Sequence, residues 1–260
     1  MLITHSQAGV RGLHWHHKPS EKPDDSPIPA WPIPPREYRR HETSQTISGT
    51  FQLYDLLDLS TTSGSISIRV QAQPGDKPAV MKLKSTSGSI SLQIGNDLSS
   101  WPPSNDALNR TFDTRIETTS GSVSGNLVVG NGGTTTIDTK SGSMSLMIHA
   151  LDMKKTTTRF ETRSTSGSQS LEVASPSSKE FRTLEARHLA VGSASLNIRY
   201  PENWVGKLHA QLTGSGSVNL RGNNLQYSGG GRDQYVWRGN GHLNEVEAIG
   251  RGSGSINFSC

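Results

Sequence analysis

Hydrophobic and polar residues alternate along most of this chain. After residue 43, short segments carry an apolar residue at every second position, as at Ile66, Ile68 and Val70, and the residues between are mostly Ser, Asn, Gln or Arg. A period of two is typical of a β-strand with one buried and one polar face. A second strand is predicted before each of these segments, for example in "VMKLK", "DTRIET" and "TRFETR".

The strands belong to a repeat whose motif is Thr/Ser-Ser-Gly-Ser and whose period is about 24 residues. Periods of this size indicate solenoids, propellers or other repeat arrays. Apolar residues on the two sides of the motif are an odd number of positions apart, so the chain must turn there to keep both strands on one core. Glycine reaches positive φ without steric cost, and the motif therefore predicts a corner once per coil. The motif glycines are Gly49 in a short first unit, then Gly64, Gly88, Gly121, Gly142, Gly167, Gly192, Gly216 and Gly254.

A β-solenoid explains this pattern best, because each coil is too thin to bury its own apolar face and stacking supplies the core. A propeller and an antiparallel sandwich are the alternatives, although a propeller blade usually needs four strands and about 40 residues. We therefore expect residues 43–260 to form one all-β domain of stacked coils.

The end coils of a solenoid expose strand edges, so they need caps or they self-associate. At the first coil, Phe51 and Leu53 are the expected cap. At the other end, Tyr235 and Trp237 from an insertion are expected to shield Phe258.

Residues 1–42 differ in composition, since they hold seven of the 13 prolines and show no apolar period. We expect a disordered, proline-rich tail that favours extended polyproline II. His14, His16 and His17 lie in this tail without a cysteine or carboxylate at a fixed spacing, so no metal site is predicted. The first residues lack the apolar centre of a signal peptide, and no apolar run is long enough to span a membrane.

Composition narrows the functional classes. The hydrophobic fraction is 31% and the charged fraction 18%, so Ser, Thr and Gly fill the difference and the core must be narrow. The net charge is +4, but Lys and Arg are interspersed with acids, which indicates a solvated surface and no nucleic-acid partner. Cys260 is the only cysteine, so no internal disulfide is possible.

The segments "LYDLLDLSTTSGSISI" and "YPENWVGKL", together with the repeated motif, resemble an adhesin-like domain family of bacteria and fungi, and its fungal branch above all. The resemblance covers about residues 43–260. It implies a β-solenoid-like fold and no established catalytic residues, in a family to which no function is assigned. Relatives often carry a proline-rich region and a membrane segment upstream, so surface anchoring is expected here only if a further segment precedes residue 1.

Catalytic, cofactor and metal sites are not predicted. The Gly-x-Ser-x-Gly turn of serine hydrolases is missing, and the histidines and aspartates have no shared offset from the motif. His188 and His209 are expected as exposed strand residues. The alternative function is a polysaccharide lyase or hydrolase on a β-solenoid, which a cleft with converging acids and a basic residue would distinguish. The dispersed residues are His149, His188, His209, His242, Asp97, Asp106, Asp113 and Asp138.

Two insertions interrupt the repeat, at residues 95–110 and 221–244. Insertions in repeat proteins often lie on one face, which is often the binding face. Their aromatic residues are able to stack on sugars or contact a protein, or else to pack over the solenoid ends. The sequence therefore predicts a non-catalytic surface or scaffold module that binds carbohydrate or protein, without a cofactor, through Trp101, Tyr227, Tyr235 and Trp237.

Overall fold

A computed structural model describes residues 35–95, 107, 109–151, 156–174, 184–239 and 244–260. These residues form an eleven-stranded sheet and a nine-stranded sheet, here named sheet A and sheet B. Pairing within each sheet is parallel except at one end of sheet A, so the expected all-β solenoid is confirmed. In the described part of the chain, no helix is long and apolar enough to cross a membrane.

Each coil gives one strand to each sheet. In stacking order, sheet A contains β1 (Glu37–Glu42), β3 (Leu56–Thr61), β5 (Ala79–Ser85), β7 (Phe112–Thr118), β9 (Thr134–Thr139), β11 (Thr158–Ser164), β13 (Leu184–Gly192), β19 (Asn244–Gly252), β15 (Gly206–Thr213), β18 (Asp233–Arg238) and β17 (Gln226–Gly230). Sheet B contains β2 (Ile47–Leu53), β4 (Ile66–Ala72), β6 (Ile90–Ile94), β8 (Val123–Gly130), β10 (Met144–Leu151), β12 (Gln169–Ala174), β14 (Leu196–Arg199), β20 (Ile256–Ser259) and β16 (Val218–Arg221).

The core is a single apolar layer between the two sheets. Leu59, Leu83 and Ile116 are register partners on neighbouring strands of sheet A, and each is at most 1% exposed. Ile66 and Ile90 form the corresponding row of sheet B. Burying one such side chain stabilises the fold by about 1.5–3 kcal/mol, so these rows hold successive coils together.

Side-chain hydroxyl groups form hydrogen bonds with the backbone at the corners between the two sheets. Ser85 Oγ donates a hydrogen bond of 3.0 Å to the Gly64 carbonyl of the coil before it and accepts one of 2.9 Å from Gly88 N in its own coil. The serine after each corner glycine forms a ladder, in which Ser122 N donates to Ser89 Oγ at 3.2 Å. The repeated hydroxyl residues thus satisfy backbone groups that the turn removes from the sheets.

The prediction that the corner glycines need positive φ is wrong at most positions. Among the nine motif glycines, only Gly49, Gly167, Gly192 and Gly216 have positive φ, at 133°, 151°, 72° and 134°. At Gly88, a Cβ atom would instead lie under 3.0 Å from the Gly64 carbonyl of the neighbouring coil. Close stacking of backbone on backbone is therefore the main reason for glycine. The glycines in this motif without positive φ are Gly64, Gly88, Gly121, Gly142 and Gly254.

Two motif glycines are not corner residues. Gly49 lies within β2 opposite Ile68, and Gln45 stacks beneath Gly64 in its place. Gly192 pairs with Gly252, whereas Ala194 stacks against Gly254. In both units a second residue near the glycine occupies the corner, which sequence spacing alone does not reveal.

The first coil begins earlier than expected. The sequence places the boundary at residue 43, whereas the compact unit starts at Pro35 and β1 at Glu37. The inward positions of β1 include Arg40, whose Nε is 2.9 Å from Glu42 Oε1, so this strand lacks an apolar pattern. Inward-facing charges are a common way to protect a sheet edge. The cap expected from β2 is confirmed, because Leu53 is 1% exposed and Phe51 packs against the core.

The last coils do not follow sequence order. We name β19 and β20 the interposed coil and β15 and β16 the outer coil. In sheet A, β19 of the interposed coil lies between β13 and β15. In sheet B, β20 lies between β14 and β16. The outer coil therefore precedes the interposed coil in the sequence but lies farther from β13 and β14 in the stack.

The insertion after β16 forms a hairpin of β17 and β18, and β18 pairs antiparallel with β15. Val236 of this hairpin is fully buried. The insertion therefore covers the end of the stack, but at the outer coil. The expected shielding of Phe258 by Tyr235 and Trp237 is wrong, since the aromatic neighbours of Phe258 are Tyr200 and Trp204, at 5.6 and 5.5 Å between ring centroids.

Candidate functional site

An open groove lies on the outer face of sheet A, near the hairpin. It encloses about 470 Å³ and crosses β11, β13, β19, β15 and β18. The period-two alternation that buries every second residue of these strands points the intervening residues outward into the groove. The side chains of this sheet A groove include Arg159, Glu161, Glu185, Arg187, Lys207, His209, Tyr235, Glu245 and Glu247.

Strand register arranges these side chains in two rows across the sheet. The first row runs Arg159, Glu185, Glu245, Lys207 and Trp237. The second row runs Glu161, Arg187, Glu247, His209 and Tyr235. Each row thus starts with charged residues and ends with an aromatic residue on the hairpin.

Ion pairs connect neighbouring strands within the rows. Arg159 Nε lies 3.3 Å from Glu185 Oε2, and Lys207 Nζ lies 3.1 Å from Glu245 Oε1. In the second row, Arg187 Nε lies 3.0 Å from Glu247 Oε2. All six side chains are between 42% and 67% exposed, so the pairs contribute at most about 1 kcal/mol each to stability. Their main effect is to place hydrogen-bond donors and acceptors side by side along the rows.

The aromatic end of the groove is more rigid. The rings of His209 and Tyr235 stack at 4.2 Å with an interplanar angle of 3°. His209 Nε2 also lies 2.7 Å from Asp233 Oδ1, which fixes the imidazole. Tyr235 remains 46% exposed, so a flat, oriented aromatic surface borders the charged rows.

The structure brings together two of the four predicted binding residues. Tyr235 and Trp237 are two positions apart on β18 and face the same side of sheet A. Tyr227 pairs with the buried Val236 and therefore lies on the opposite face, where its hydroxyl approaches the Leu220 carbonyl at 3.4 Å. Trp101 lies outside the described residues.

The charged rows and the contact of His209 with Tyr235 are not predicted by the sequence pattern. Alternation identifies each of these residues as outward-facing, but their proximity depends on the interposed coil, which places Glu245 and Glu247 beside Lys207 and His209. The expectation that His209 is an exposed strand residue holds only in part, because it faces outward into the groove but its side chain is only 27% exposed. The only further signal in the sequence is that the hairpin aromatics follow a strand with basic outward positions.

The expectation that His188 is exposed is wrong. His188 is an inward residue of β13, fully buried, and its Nδ1 lies 2.8 Å from Thr162 Oγ1. Thr162 Oγ1 donates to Gln169 Oε1, so His188 carries its proton on Nδ1 and its Nε2 is an acceptor without a partner among the described residues. Burial lowers the pKa of His188 to about 3, which keeps the imidazole neutral.

Sheet B carries a second, more uniform polar surface of about 420 Å³ at the same end. Asn219 Nδ2 donates to Asn257 Oδ1 at 2.9 Å, and Asn257 Nδ2 donates to Asn197 Oδ1 at 2.8 Å. This amide ladder uses most of its hydrogen-bonding groups internally and has no aromatic surface among its outward side chains. The sheet A groove is therefore the better candidate site.

Among the described residues, no group of three or more His, Cys, Asp or Glu side chains is arranged to hold a metal ion. The four glutamates of the sheet A groove are instead interspersed with Arg and Lys. The arrangement is suited to hydrogen bonding and to stacking of a planar or ring-shaped ligand.

Comparison with known proteins gives no relative from which a function can be transferred. No family model matches the chain, and neither a curated protein nor a solved structure matches it.

Proposed function

We propose that this protein is a non-catalytic, adhesin-like binding module that recognises a carbohydrate chain through the sheet A groove, as part of a surface or scaffold assembly. The observation that carries the proposal is the exposed Tyr235 ring, held by His209 at the end of two charged rows. The repeated Thr-Ser-Gly-Ser units, through their resemblance to an adhesin-like family, agree with this role.

The aromatic surface supplies the apolar part of such recognition. Aromatic side chains combine a large apolar area with few rotatable bonds, so they order at little entropic cost. Stacking on His209 restricts Tyr235 further. A sugar ring presents an apolar C–H face and hydroxyl groups at its edge, which matches one flat ring bordered by polar side chains.

The charged rows supply the polar part. Lys207, Glu247 and Arg187 lie on the first, second and third strands beyond Tyr235, which are β15, β19 and β13, and they offer both donors and acceptors for sugar hydroxyls. Their ion pairs fix these groups before a ligand binds, which reduces the ordering cost of binding. An open groove across parallel strands favours an extended polymer over a small enclosed ligand.

The test is binding of purified protein to a polysaccharide panel, followed by calorimetry on each ligand found. We expect Tyr235→Ala to weaken binding about 3- to 10-fold, the effect of losing one aromatic contact of about 0.5–1.5 kcal/mol. Tyr227→Ala is the matched control, because Tyr227 lies on the same hairpin but on its opposite face. Binding to no polysaccharide, or equal losses in both variants, would reject the proposal.

A second candidate function is carbohydrate cleavage, the alternative expected from the sequence. Four glutamates and several basic residues do converge on the groove, and Glu161 has no ion pair among the described residues. Glycoside hydrolysis requires a pair of carboxyl groups with different protonation states. Release of reducing ends from a bound polysaccharide, abolished in Glu161→Gln but not in Tyr227→Ala, would support cleavage over binding alone.

A further inference from the structure

The outer coil and the interposed coil are similar in sequence, with six identical residues among the 15 aligned positions. Residues 207–221 read KLHAQLTGSGSVNLR and residues 245–259 read EVEAIGRGSGSINFS. At the inward positions Leu208, Ala210 and Val218 correspond to Val246, Ala248 and Ile256. The corner and ladder residues Gly-Ser-Gly-Ser and Asn are identical in the two coils.

Both sides of the interposed coil are therefore ordinary solenoid interfaces. β19 pairs in parallel with β13 on one side and with β15 on the other, and β20 pairs in parallel with β14 and β16. Without residues 244–259, β13 and β14 would present one open strand edge, and β15 and β16 would present another. We call the space between these edges the slot.

Two features make the interposed coil specific for the slot. Asn244 Oδ1 accepts a hydrogen bond of 3.0 Å from Leu184 N on one side, while its Nδ2 donates one of 2.6 Å to the Val205 carbonyl on the other. Phe258 packs against the fully buried Trp204. Gly206 and Leu220, the corresponding residues of the outer coil, offer neither interaction, so the slot selects residues 244–259.

We propose that the interposed coil is exchangeable between copies of the chain, so that two molecules form a dimer in which each fills the slot of the other. Every strand pairing and the Asn244 and Phe258 contacts are the same whether residues 244–259 come from the same chain or from a second copy. Residues 239–243 alone connect the interposed coil to the hairpin in the sequence. The last residue of β18 and the first residues of β19 both lie beside the start of β15.

The exchange depends on concentration. Within one molecule the interposed coil is present at a high effective concentration, which favours the closed monomer at low protein concentration. When unfolded chains refold at high concentration, the slot of one chain meets the interposed coil of another before its own has closed. Identical interfaces then make the dimer persist after dilution, because reopening requires breaking the ladders on both sides of the coil.

A pair of cysteines distinguishes the two arrangements. Lys207 and Glu245 are register partners on β15 and β19, with outward side chains. In a Cys260→Ser background, Lys207→Cys with Glu245→Cys would form a disulfide within one chain in the monomer and between chains in the exchanged dimer. Asp58→Cys with Lys82→Cys is the matched control, since these register partners belong to consecutive coils β3 and β5 and stay within one chain in both arrangements.

The full-length variants are unfolded in denaturant, refolded at low and at high concentration, oxidised, and separated by size-exclusion chromatography. We expect a species of doubled mass whose share rises with refolding concentration, cross-linked between chains by the 207–245 pair and not by the 58–82 pair. Non-reducing gel electrophoresis of each peak shows whether the disulfide lies within one chain or between two chains. A protein that stays monomeric at every concentration, or a dimer in which the 207–245 disulfide lies within one chain, would overturn the proposal.

Discussion

At the scale of single residues, the corners depend on the absence of a side chain. Gly88 has no positive φ, yet a Cβ atom there would collide with the Gly64 carbonyl, and the same holds for Gly121 above Gly88. In both cases the added Cβ would clash with a backbone carbonyl, which cannot move aside as the end of a flexible side chain can. The clash is removed only if the two coils move apart. The glycine column is thus a packing requirement that is shared by neighbouring coils.

Gly88→Ala is therefore expected to lower the free energy of unfolding by about 1–3 kcal/mol, the usual cost of forcing an extra methyl group into a packed site. Gly230→Ala is the control, since Gly230 has open space around its Cβ position and no positive φ. Thermal and chemical denaturation of the two variants measures the difference. If both variants unfold like the unmodified protein, close stacking does not explain the corner glycines.

A buried polar network lies in the core at β11, β12 and β13. It joins His188, Thr162 and Gln169, and Gln169 Nε2 also donates to Ser164 Oγ at 3.1 Å. The residues that face His188 are Thr162 and Phe160 on β11, Gln169 on β12, and Ala248 on β19. None of them is charged, so a proton on His188 Nε2 would have neither an acceptor nor a counterion.

This network predicts acid sensitivity. The pKa of His188 is about 3 in the folded protein and about 6.5 in the unfolded chain, so the unfolded state binds the proton first and stability falls as pH drops from 6.5 towards 3. The expected loss is about 1.4 kcal/mol per pH unit in this window, or about 2 kcal/mol at pH 5.

Chemical denaturation at pH 7 and pH 5 tests this expectation. His188→Leu should remove most of the difference between the two pH values, whereas His41→Leu, in the exposed strand β1, should leave it unchanged. An acid-induced loss of stability that is the same in the unmodified protein and in His188→Leu would contradict the role of this residue.

At the scale of strands, the hairpin β17–β18 protects the edge of β15. Val236 pairs with Leu208 on β15 and is fully buried, so Val236→Asp would place a charge in an apolar site and detach the hairpin. The uncovered edge of β15 should then recruit other chains, seen as larger species in size-exclusion chromatography. Ser228→Asp, on the exposed strand β17, is the control.

The capping role would be wrong if Val236→Asp stayed monomeric and unfolded at the same temperature as the Ser228→Asp control. A second possibility, loss of the whole fold, is separated from edge exposure by circular dichroism. The edge explanation requires that the β-sheet signal is retained while the apparent mass increases.

Strand positions follow directly from the sequence, because alternation depends only on neighbouring residues. The corners are harder to assign, since Gly49 and Gly192 belong to looser copies of the motif and do not occupy the stacking position. Likewise β1 is hidden because its inward residues are Tyr38, Arg40 and Glu42, which close the stack instead of continuing the core. An end coil of this kind therefore lacks the alternation of apolar and polar residues by which inner coils are recognised in the sequence.

At the scale of the whole molecule, winding order is the property that the sequence does not reveal. Residues 207–221 and 245–259 carry nearly the same inward pattern, so local preference fits either order of stacking. The choice depends on Asn244 and on the contact of Phe258 with Trp204, which are visible only in three dimensions. The candidate site cannot be predicted from the sequence for the same reason, because its two rows form only when β19 lies between β13 and β15.

The interposed coil also determines how the molecule would carry mechanical load. In a solenoid wound in order, tension on the C-terminal side peels away the last coil, one ladder at a time. Here, tension applied at Cys260 enters through β20, which is hydrogen-bonded to β14 on one side and to β16 on the other. Two ladders must therefore yield together, so a pull at this residue is resisted by the coils on both sides of β20.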